Sequence, residues 1–278
     1  MNDTKKRVCF LAIPNHSGIR HETIKAALVL APSNRTDVFE YDLASGCLAY
    51  NFNCCWSQWI NQPGKFDYFC MLHADVQPTV QTGSWLDVLL DELDSGYDVM
   101  HAVTAIKDEK GHTSTAIGDA DVQHQWVRKI TTKEMQGLPD TFEAQDALTA
   151  FGGHCGNPCL LPNTGCMALR WDMRWRTFPG FSQVDRLAIR TEDGRHILAE
   201  FDEKNRVDCL LPDDIPGDIV PLTVPEDWNF GLWCARHGVR VGGTKKVATN
   251  HWGVGCWQSA TAWGQERDES YFQLKGCI

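Results

Sequence analysis

Phe66-Asp67-Tyr68-Phe69-Cys70-Met71-Leu72-His73-Ala74-Asp75 is the stretch on which the reading of this chain turns. Tyr68 to Leu72 is continuously apolar, the mark of a strand buried on both faces of a sheet. Open α/β sheets place their ligands in the crevice beyond the carboxyl edge, and Asp75 falls just past that edge. A second residue of interest, His251, follows the strand-like Lys246-Val247-Ala248-Thr249-Asn250. A carboxylate and an imidazole brought together there can hold a divalent cation, and a cation can hold a diphosphate.

Outward from this stretch the first half alternates between strand and helix patterns. Val8 to Ile13 is another doubly buried strand, followed by the loop Pro14-Asn15-His16-Ser17-Gly18 and a helix from about Glu22 to Leu30. Thr36 to Tyr41 reads as a strand and Ala49 to Ile60 as a helix. Ser84 is a good N-cap, with Asp87 three residues on as the partner in a capping box. Leu86, Leu89, Leu90 and Leu93 then form one apolar stripe, which Gly96 ends. Asp98 to Ile106 reads as the next strand.

From Gly118 to Pro162 the periodicity fades, apart from a short helix near Thr132 to Gln136, and the segment reads as an irregular functional insertion. Cys166 to Arg170 recovers strand character. Residues 177 to 220 again read as irregular, with a hairpin around Glu192-Asp193-Gly194-Arg195. A helix from Glu226 to about His237, stopped by Gly238, and a strand at Val239 to Val241 lead to a loop carrying His251. This alternation predicts an α/β fold: a mostly parallel central sheet with helices on both faces.

The 278 residues suffice for a large single domain. No apolar stretch reaches the ~18 residues of a membrane span, and Val8 to Ile13 is too short for a signal peptide, so a cytoplasmic protein is expected. The net charge of −10 argues against a nucleic-acid clamp, which needs clustered Lys and Arg. It leaves a nucleotide ligand open, because a metal can neutralise a diphosphate without a basic patch. The 12 cysteines, with no signal peptide, point to reduced thiols. Cys155 and Cys159, beside His154, could be offered as a zinc site. Their C-x3-C spacing has no second pair to complete it, and small buried hydrophobes are the plainer reading.

Each candidate residue carries two readings. Asp75 is a metal-ligating carboxylate or a loop Asp capping the next turn, and its place at a buried strand's end favours the first. His73 shares its side of the chain if the extended geometry continues, and could ligate a metal, touch a ribose or merely pack. Glu226 and Asp227 open a helix, where the dipole favours carboxylates; either could also be a general base. Asn51 and Asn53 hydrogen-bond a base or are polar surface positions. Asn163-Thr164-Gly165 shapes an acceptor pocket or makes a turn. Tryptophans 228, 233, 252, 257 and 263 are core, or a platform for a sugar face.

In this order the motifs resemble the family-two-like glycosyltransferases of GT-A fold. The matching parts are the strand and loop through Pro14-Asn15, the D-x-D-like His73-Ala74-Asp75, the small-residue stretch Asn163-Thr164-Gly165, the Glu226-Asp227 helix and His251. The match spans residues 8 to about 253. It implies a single Rossmann-like GT-A-type domain over 1–278: a nucleotide-sugar-binding half at 8–117, an acceptor and catalytic half with irregular insertions at 118–253, and a tail at 254–278. It further implies a nucleotide-diphosphate sugar as donor, bound through Pro14, Asn15, Asn53, His73 and Asp75. Mn2+ or Mg2+ would bridge the diphosphate to Asp75 and His251, with His73 as a further ligand. Asp227, or Glu226 in second place, would be the base that deprotonates an acceptor hydroxyl, giving inversion. The chain departs from the family at His73, where an Asp is usual. A nucleotidyltransferase, whose glycine-rich basic loop is lacking here, and a degenerate carbohydrate-binding or structural fold are the competing expectations.

Overall fold

A computed structural model describes residues 5–121, 126–152, 156–192, 196–198, 201–202, 207–208 and 215–264. In chain order the elements are β1 (Arg7–Asn15), α1 (His21–Lys25), which runs on as a π-helical turn over Ala26–Leu30, β2 (Thr36–Ala44), α2 (Leu48–Ile60), β3 (Tyr68–Leu72), β4 (Val76–Thr79), α3 (Trp85–Asp94) and β5 (Val99–Ala102). Next come β6 (His112–Asp119), β7 (Trp126–Thr131), α4 (Thr132–Met135), β8 (Thr141–Phe142), α5 (Ala144–Phe151), β9 (Pro158–Leu161) and β10 (Cys166–Arg170). A 3-10 turn at Met173–Thr177 precedes β11 (Val184–Arg190), β12 (His196–Leu198), β13 (Phe201–Asp202), β14 (Val207–Asp208), β15 (Asp218–Val224), α6 (Glu226–Arg236), β16 (Val241–Thr244), β17 (Ala248–Trp252) and β18 (Cys256–Gln258).

The central sheet has seven strands in the order β2-β1-β3-β10-β5-β16-β8. β2, β1, β3, β5 and β16 run in one direction, and β10 and β8 run against them. The expected mostly parallel α/β sheet is what the chain forms. Alternate residues of the buried strands feed two cores, as a period of two requires. On one face Leu11, Cys70, Leu72 and Met100 pack against Trp85, Leu86, Leu89, Leu90 and Leu93 of α3 and Ala27 and Ala31 near α1. On the other, Phe10, Phe69, Met71 and Met167 pack against Phe52, Trp56 and Trp59 of α2 and Phe230 and Cys234 of α6. Each fully buried Leu or Phe contributes about 1.5–3 kcal/mol.

Ser84 caps α3 as its sequence position suggests, accepting from the Asp87 amide at 3.2 Å. The reciprocal half of the box does not form. The Asp87 carboxylate instead takes the Thr36 hydroxyl at 2.6 Å, tying α3 to β2. Gly96 follows the helix at φ +126°, a conformation side chains disfavour.

Two segments expected to be irregular are sheets. β6 lies between β7 and β9, with α4 and α5 beside them, and β11 lies between β12 and β15. β6 itself lies almost wholly before the segment expected to be irregular from Gly118, and it is buried while rich in threonine. Thr113 donates to the Ile130 carbonyl at 2.6 Å, and Thr115 Oγ1 lies 3.0 Å from His101 Nε2, so its polar residues are satisfied internally. The hairpin expected near residue 192 exists as the β11–β12 pair, although 193–195 lie outside the described residues. The strand expected over Asp98 to Ile106 leaves the central sheet after Ala102. Ser114 then donates to the Thr104 carbonyl at 3.0 Å and Ile106 to that of His112 at 2.8 Å, so the chain swings toward β6. Among the described residues no helix is long and apolar enough to cross a membrane.

Candidate functional site

Three crossings of the chain meet at the carboxyl edge of β3. β10 is antiparallel to β3, with Cys166 opposite Leu72, so the Asn163-Thr164-Gly165 turn that precedes β10 lands beside His73. The His73 amide donates to the Gly165 carbonyl at 2.9 Å. β17 pairs with β4, placing His251 opposite Val76, and the Trp252 amide donates to the Asp75 carbonyl at 2.8 Å. The segment after β5 supplies Lys107. His251 therefore lies within a strand, not in the loop expected for it.

The extended geometry does not continue through His73 to Asp75. The Val76 amide donates to the His73 carbonyl at 3.0 Å, closing a turn that sends the two side chains to different partners. Asp75 Oδ1 lies 3.5 Å from His251 Nε2, and Oδ2 accepts from the Lys107 ammonium. Burial opposes ionisation of Asp75, but hydrogen bonds from His251 and Lys107 outweigh it and hold its carboxyl below the usual range. His73 Nε2 instead lies 3.1 Å from Thr164 Oγ1, and its ring packs on Phe52 at 5.1 Å. Burial lowers its pKa to about 4, so the ring is neutral, and the structure pairs it with Thr164 rather than with Asp75.

His251 is oriented by its other nitrogen. Nδ1 lies 2.7 Å from the Ala105 carbonyl, which can only accept, so Nδ1 carries the hydrogen. In the neutral ring Nε2 then presents a lone pair toward the Asp75 carboxylate. Two electron-pair donors facing one another are favourable when a cation or proton lies between them. A ring N–H donated to a backbone carbonyl is how metal-binding histidines are commonly oriented.

The Glu226-Asp227 pair opens α6 on the far side of the Asn163–Gly165 turn, and both side chains are buried. Trp228 Nε1 donates to the Ser114 carbonyl at 2.9 Å, Asn163 Nδ2 donates to Ser114 Oγ, and the Gly165 amide donates to Asn163 Oδ1 at 2.8 Å. Ser114 and Asn163 thus connect α6 to the Asp75 turn. Close packing of α6 there requires Gly231, where a Cβ would lie 2.6 Å from Pro162 Cδ. Burial raises the Asp227 carboxyl well above its usual range, with Glu226 adding to the effect and the Trp228 amide and Lys129 opposing it. Glu226 is raised by burial as well. Lys129 lies over the Trp228 ring, its ammonium 5.3 Å from the centroid, and burial lowers its pKa to about 8 against the pull of Asp227 and Asp108.

Pro14 and Asn15 end β1, beyond the last β1–β3 pair at Ala12 and Met71, so the prolyl nitrogen interrupts no ladder to β3. Asn15 is buried, its side chain accepting from the Gly18 amide at 3.3 Å and its carbonyl from Asn51 Nδ2 at 2.8 Å. Asn51 Oδ1 is buried without a partner. Asn53, expected to meet a base, is instead bound at both ends of its amide to the backbone of Phe181, at 2.8 and 2.7 Å. Asn51, earlier on α2, is the asparagine that faces the β1 edge.

Lys107, Lys129, Ser114 and Arg20 were not singled out by sequence reasoning. Lys107 alone carried a usable signal, as the first cation past a strand expected to end at the same sheet edge. The described cysteines are free, and burial pushes the thiols of Cys70, Cys9 and Cys166 up, as for inert packing groups. Cys155 lies outside the described residues, and Cys159 is buried. Among the described residues no group of three or more His, Cys, Asp or Glu side chains forms a ready-made metal cage. A cavity of about 750 Å³ lined by Thr79, Val88, Gln136, Lys246 and Ser259 lies apart from Asp75, His251 and Asp227, none of which lines it.

No family model matches the chain, and no curated protein matches it in sequence. Among solved structures, the crystal structure of A197 from STIV is similar with a TM-score of 0.47 and 11% identity, over 94% of this chain and 95% of that one.

Proposed function

We propose that the protein transfers a sugar from a nucleoside-diphosphate donor to an acceptor hydroxyl, using a divalent cation held by Asp75 and His251. The observation that carries this reading is His251 Nε2, on a ring anchored through Nδ1 to the Ala105 carbonyl, standing 3.5 Å from Asp75 Oδ1. A carboxylate and an imidazole suit Mn2+ better than Mg2+, which favours all-oxygen sets. Two protein donors leave the remaining positions to phosphate oxygens and water. When bound, the cation supplies charge neutralisation to the departing diphosphate.

The chain's own residues account for the rest. Asn51 Oδ1, buried and unpartnered beside Asn15, is an acceptor that a nucleobase N–H would satisfy. Asp227 takes the proton of the acceptor hydroxyl. Burial raises its carboxyl, and Lys129 opposes that rise. Attack on the face opposite the diphosphate inverts the anomeric carbon.

A second reading, a degenerate fold that binds carbohydrate without turnover, is favoured by one feature: Lys107 already neutralises Asp75. Thermal-shift measurements with UDP, GDP, CDP and ADP and their sugars, each with Mn2+ and with EDTA, separate the two. A ligand at one hundred times its Kd adds about 2.7 kcal/mol. Stabilisation by one nucleotide, with metal only, and its loss in Asp75→Ala are the expected results. Silence toward every nucleotide would leave the degenerate fold as the better account.

A further inference from the structure

His251 and Trp257 are direct partners across the β17–β18 ladder, so their side chains stand on one face of it. The Trp257 indole Nε1 donates to the Asp108 carbonyl at 3.1 Å, one residue after the Lys107 that holds Asp75. A Cβ on Gly253 would stand 3.1 Å from Trp257 Cζ3 and 3.1 Å from Lys107 Cδ, so ring edge and lysine stem meet there. Arg20 pins that glycine, Nη2 donating to its carbonyl at 2.9 Å. Beside this junction Asp108, Glu109, Trp257, Gln258, Thr261 and Trp263 line a cleft of about 370 Å³. Small-molecule sites run from roughly 300 to 1,000 Å³. Trp263 is held as firmly as Trp257: Nε1 donates to the Gln258 carbonyl at 2.6 Å, and its own carbonyl accepts from Thr132 Oγ1 at 3.0 Å. Both indoles are half-buried. With each N–H committed to the backbone, what the rings offer a ligand is their apolar carbon surface.

We infer that this cleft binds a neutral sugar unit, stacked on Trp257 and Trp263 and hydrogen-bonded through Glu109, Gln258 and Thr261. A pyranose has an apolar C–H face and a rim of hydroxyls that both donate and accept. The rings meet the face. At the rim the Glu109 carboxylate accepts, and the Gln258 amide and Thr261 hydroxyl do both. Among the described residues none of these three side chains has another partner. Asp108 is already engaged, accepting from the Lys110 amide at 3.0 Å and lying 3.2 Å from His112 Nδ1. The described lining therefore has one open carboxylate and no cation. It repels a phosphate, and it gives an ammonium ligand a single solvent-screened charge. The larger cavity of about 750 Å³ has no aromatic side chain among its described lining residues, so it lacks the stacking surface. Lys129 feels the charges of both Asp108 and Asp227, so the cleft adjoins the carboxyl that the proposed function makes the base. The sugar is thereby the acceptor, a role that rests on the proposed function; the binding itself needs neither nucleotide nor metal.

Saturation-transfer NMR on the full chain, in EDTA and without nucleotide, reads the binding directly. The probes are cellobiose, maltose, lactose, mannobiose and N,N′-diacetylchitobiose, with choline beside them. At least one disaccharide should bind, with transfer strongest to its C–H face, and choline should not. Trp257→Ala and Trp263→Ala should each weaken that sugar by roughly tenfold. Glu109→Ala, at an exposed position that takes part in no packing, should weaken it by about fivefold. Thermal melts check that the tryptophan variants are folded. Silence toward all five disaccharides, or binding that Trp263→Ala and Glu109→Ala both leave intact, overturns the cleft, while a metal-dependent nucleotide response would still keep the transferase reading. Binding of choline and of no sugar also overturns it, in favour of a cationic ligand over the indole faces. Sugar binding that these variants weaken, in a protein that answers to no nucleotide, keeps the cleft and removes the transferase reading.

Discussion

His251 Nε2 stands 3.5 Å from Asp75 Oδ1 on a ring whose Nδ1 is held 2.7 Å from the Ala105 carbonyl. The carbonyl holds Nδ1 and the strand pairing of β17 with β4 fixes the position, so Nε2 is the nitrogen that meets the carboxylate. Asp75→Ala should abolish Mn2+-dependent stabilisation by nucleotide, and His251→Ala should weaken Mn2+ binding by roughly tenfold or more, as loss of oriented ligands does. Titration of Mn2+ into both variants checks this. Wild-type Mn2+ affinity in His251→Ala would remove the imidazole from the site.

His73 should behave as a structural residue. Its hydrogen bond to Thr164 and its packing on Phe52 predict that His73→Ala costs about 1–3 kcal/mol of stability, the range for leaving a buried polar group without its partner. Its Mn2+ affinity should stay near that of the wild type. Denaturant unfolding beside Mn2+ titration separates the two effects, and a loss of metal binding without a loss of stability would restore His73 as a ligand.

Asp227→Asn should separate activity from stability. A carboxyl whose folded pKa is raised favours its protonated form in the folded state, so its contribution is intact at low pH and is lost as pH rises through the raised value. The neutral amide should therefore raise Tm at alkaline pH, with the gain vanishing as pH falls below the ordinary carboxylate range. Turnover should drop by roughly 10²-fold or more, the usual weight of a general base. Full activity in Asp227→Asn would move the base to Glu226 or elsewhere.

Lys129→Met removes the cation that opposes the raised Asp227 pKa. The acidic limb of the pH–rate profile should consequently move to higher pH, since Asp227 then needs a higher pH to ionise. An unmoved limb would show that Lys129 acts on packing alone, through its position over Trp228.

Gly231→Ala tests how tightly α6 must sit. The added methyl would stand 2.6 Å from Pro162 Cδ and 3.0 Å from Leu161 Cα. Overpacking of this kind costs about 1–3 kcal/mol. Because α6 carries Glu226 and Asp227, turnover should fall further than nucleotide affinity does. Steady-state kinetics beside nucleotide titration reads that difference.

The legible parts of the sequence were those with local periodicity. β1, β3, α2, α3 and α6 each announce themselves through an apolar run or stripe, and Asp75 and the Glu226-Asp227 pair stand out as chemistry at the ends of such elements. β6 did not, because its buried threonines are satisfied by His101 and by the Ile130 carbonyl, partners distant in sequence. Asn53 misled for the same reason: a polar residue on a helix does not disclose that the Phe181 backbone, 128 positions away, will occupy it.

The sequence by itself determined a sheet with helices on both faces and an acidic residue at the carboxyl edge of its buried strand, because strand and helix periods are written in neighbouring residues. Tertiary structure alone decided which side chains meet that acid. The turn at Val76 sends His73 to Thr164, the antiparallel pairing of β4 with β17 brings His251 from far along the chain, and the departure of the chain from β5 toward β6 delivers Lys107. Those meetings are set by long-range pairing and packing, for which no local pattern in the chain stands as a signal.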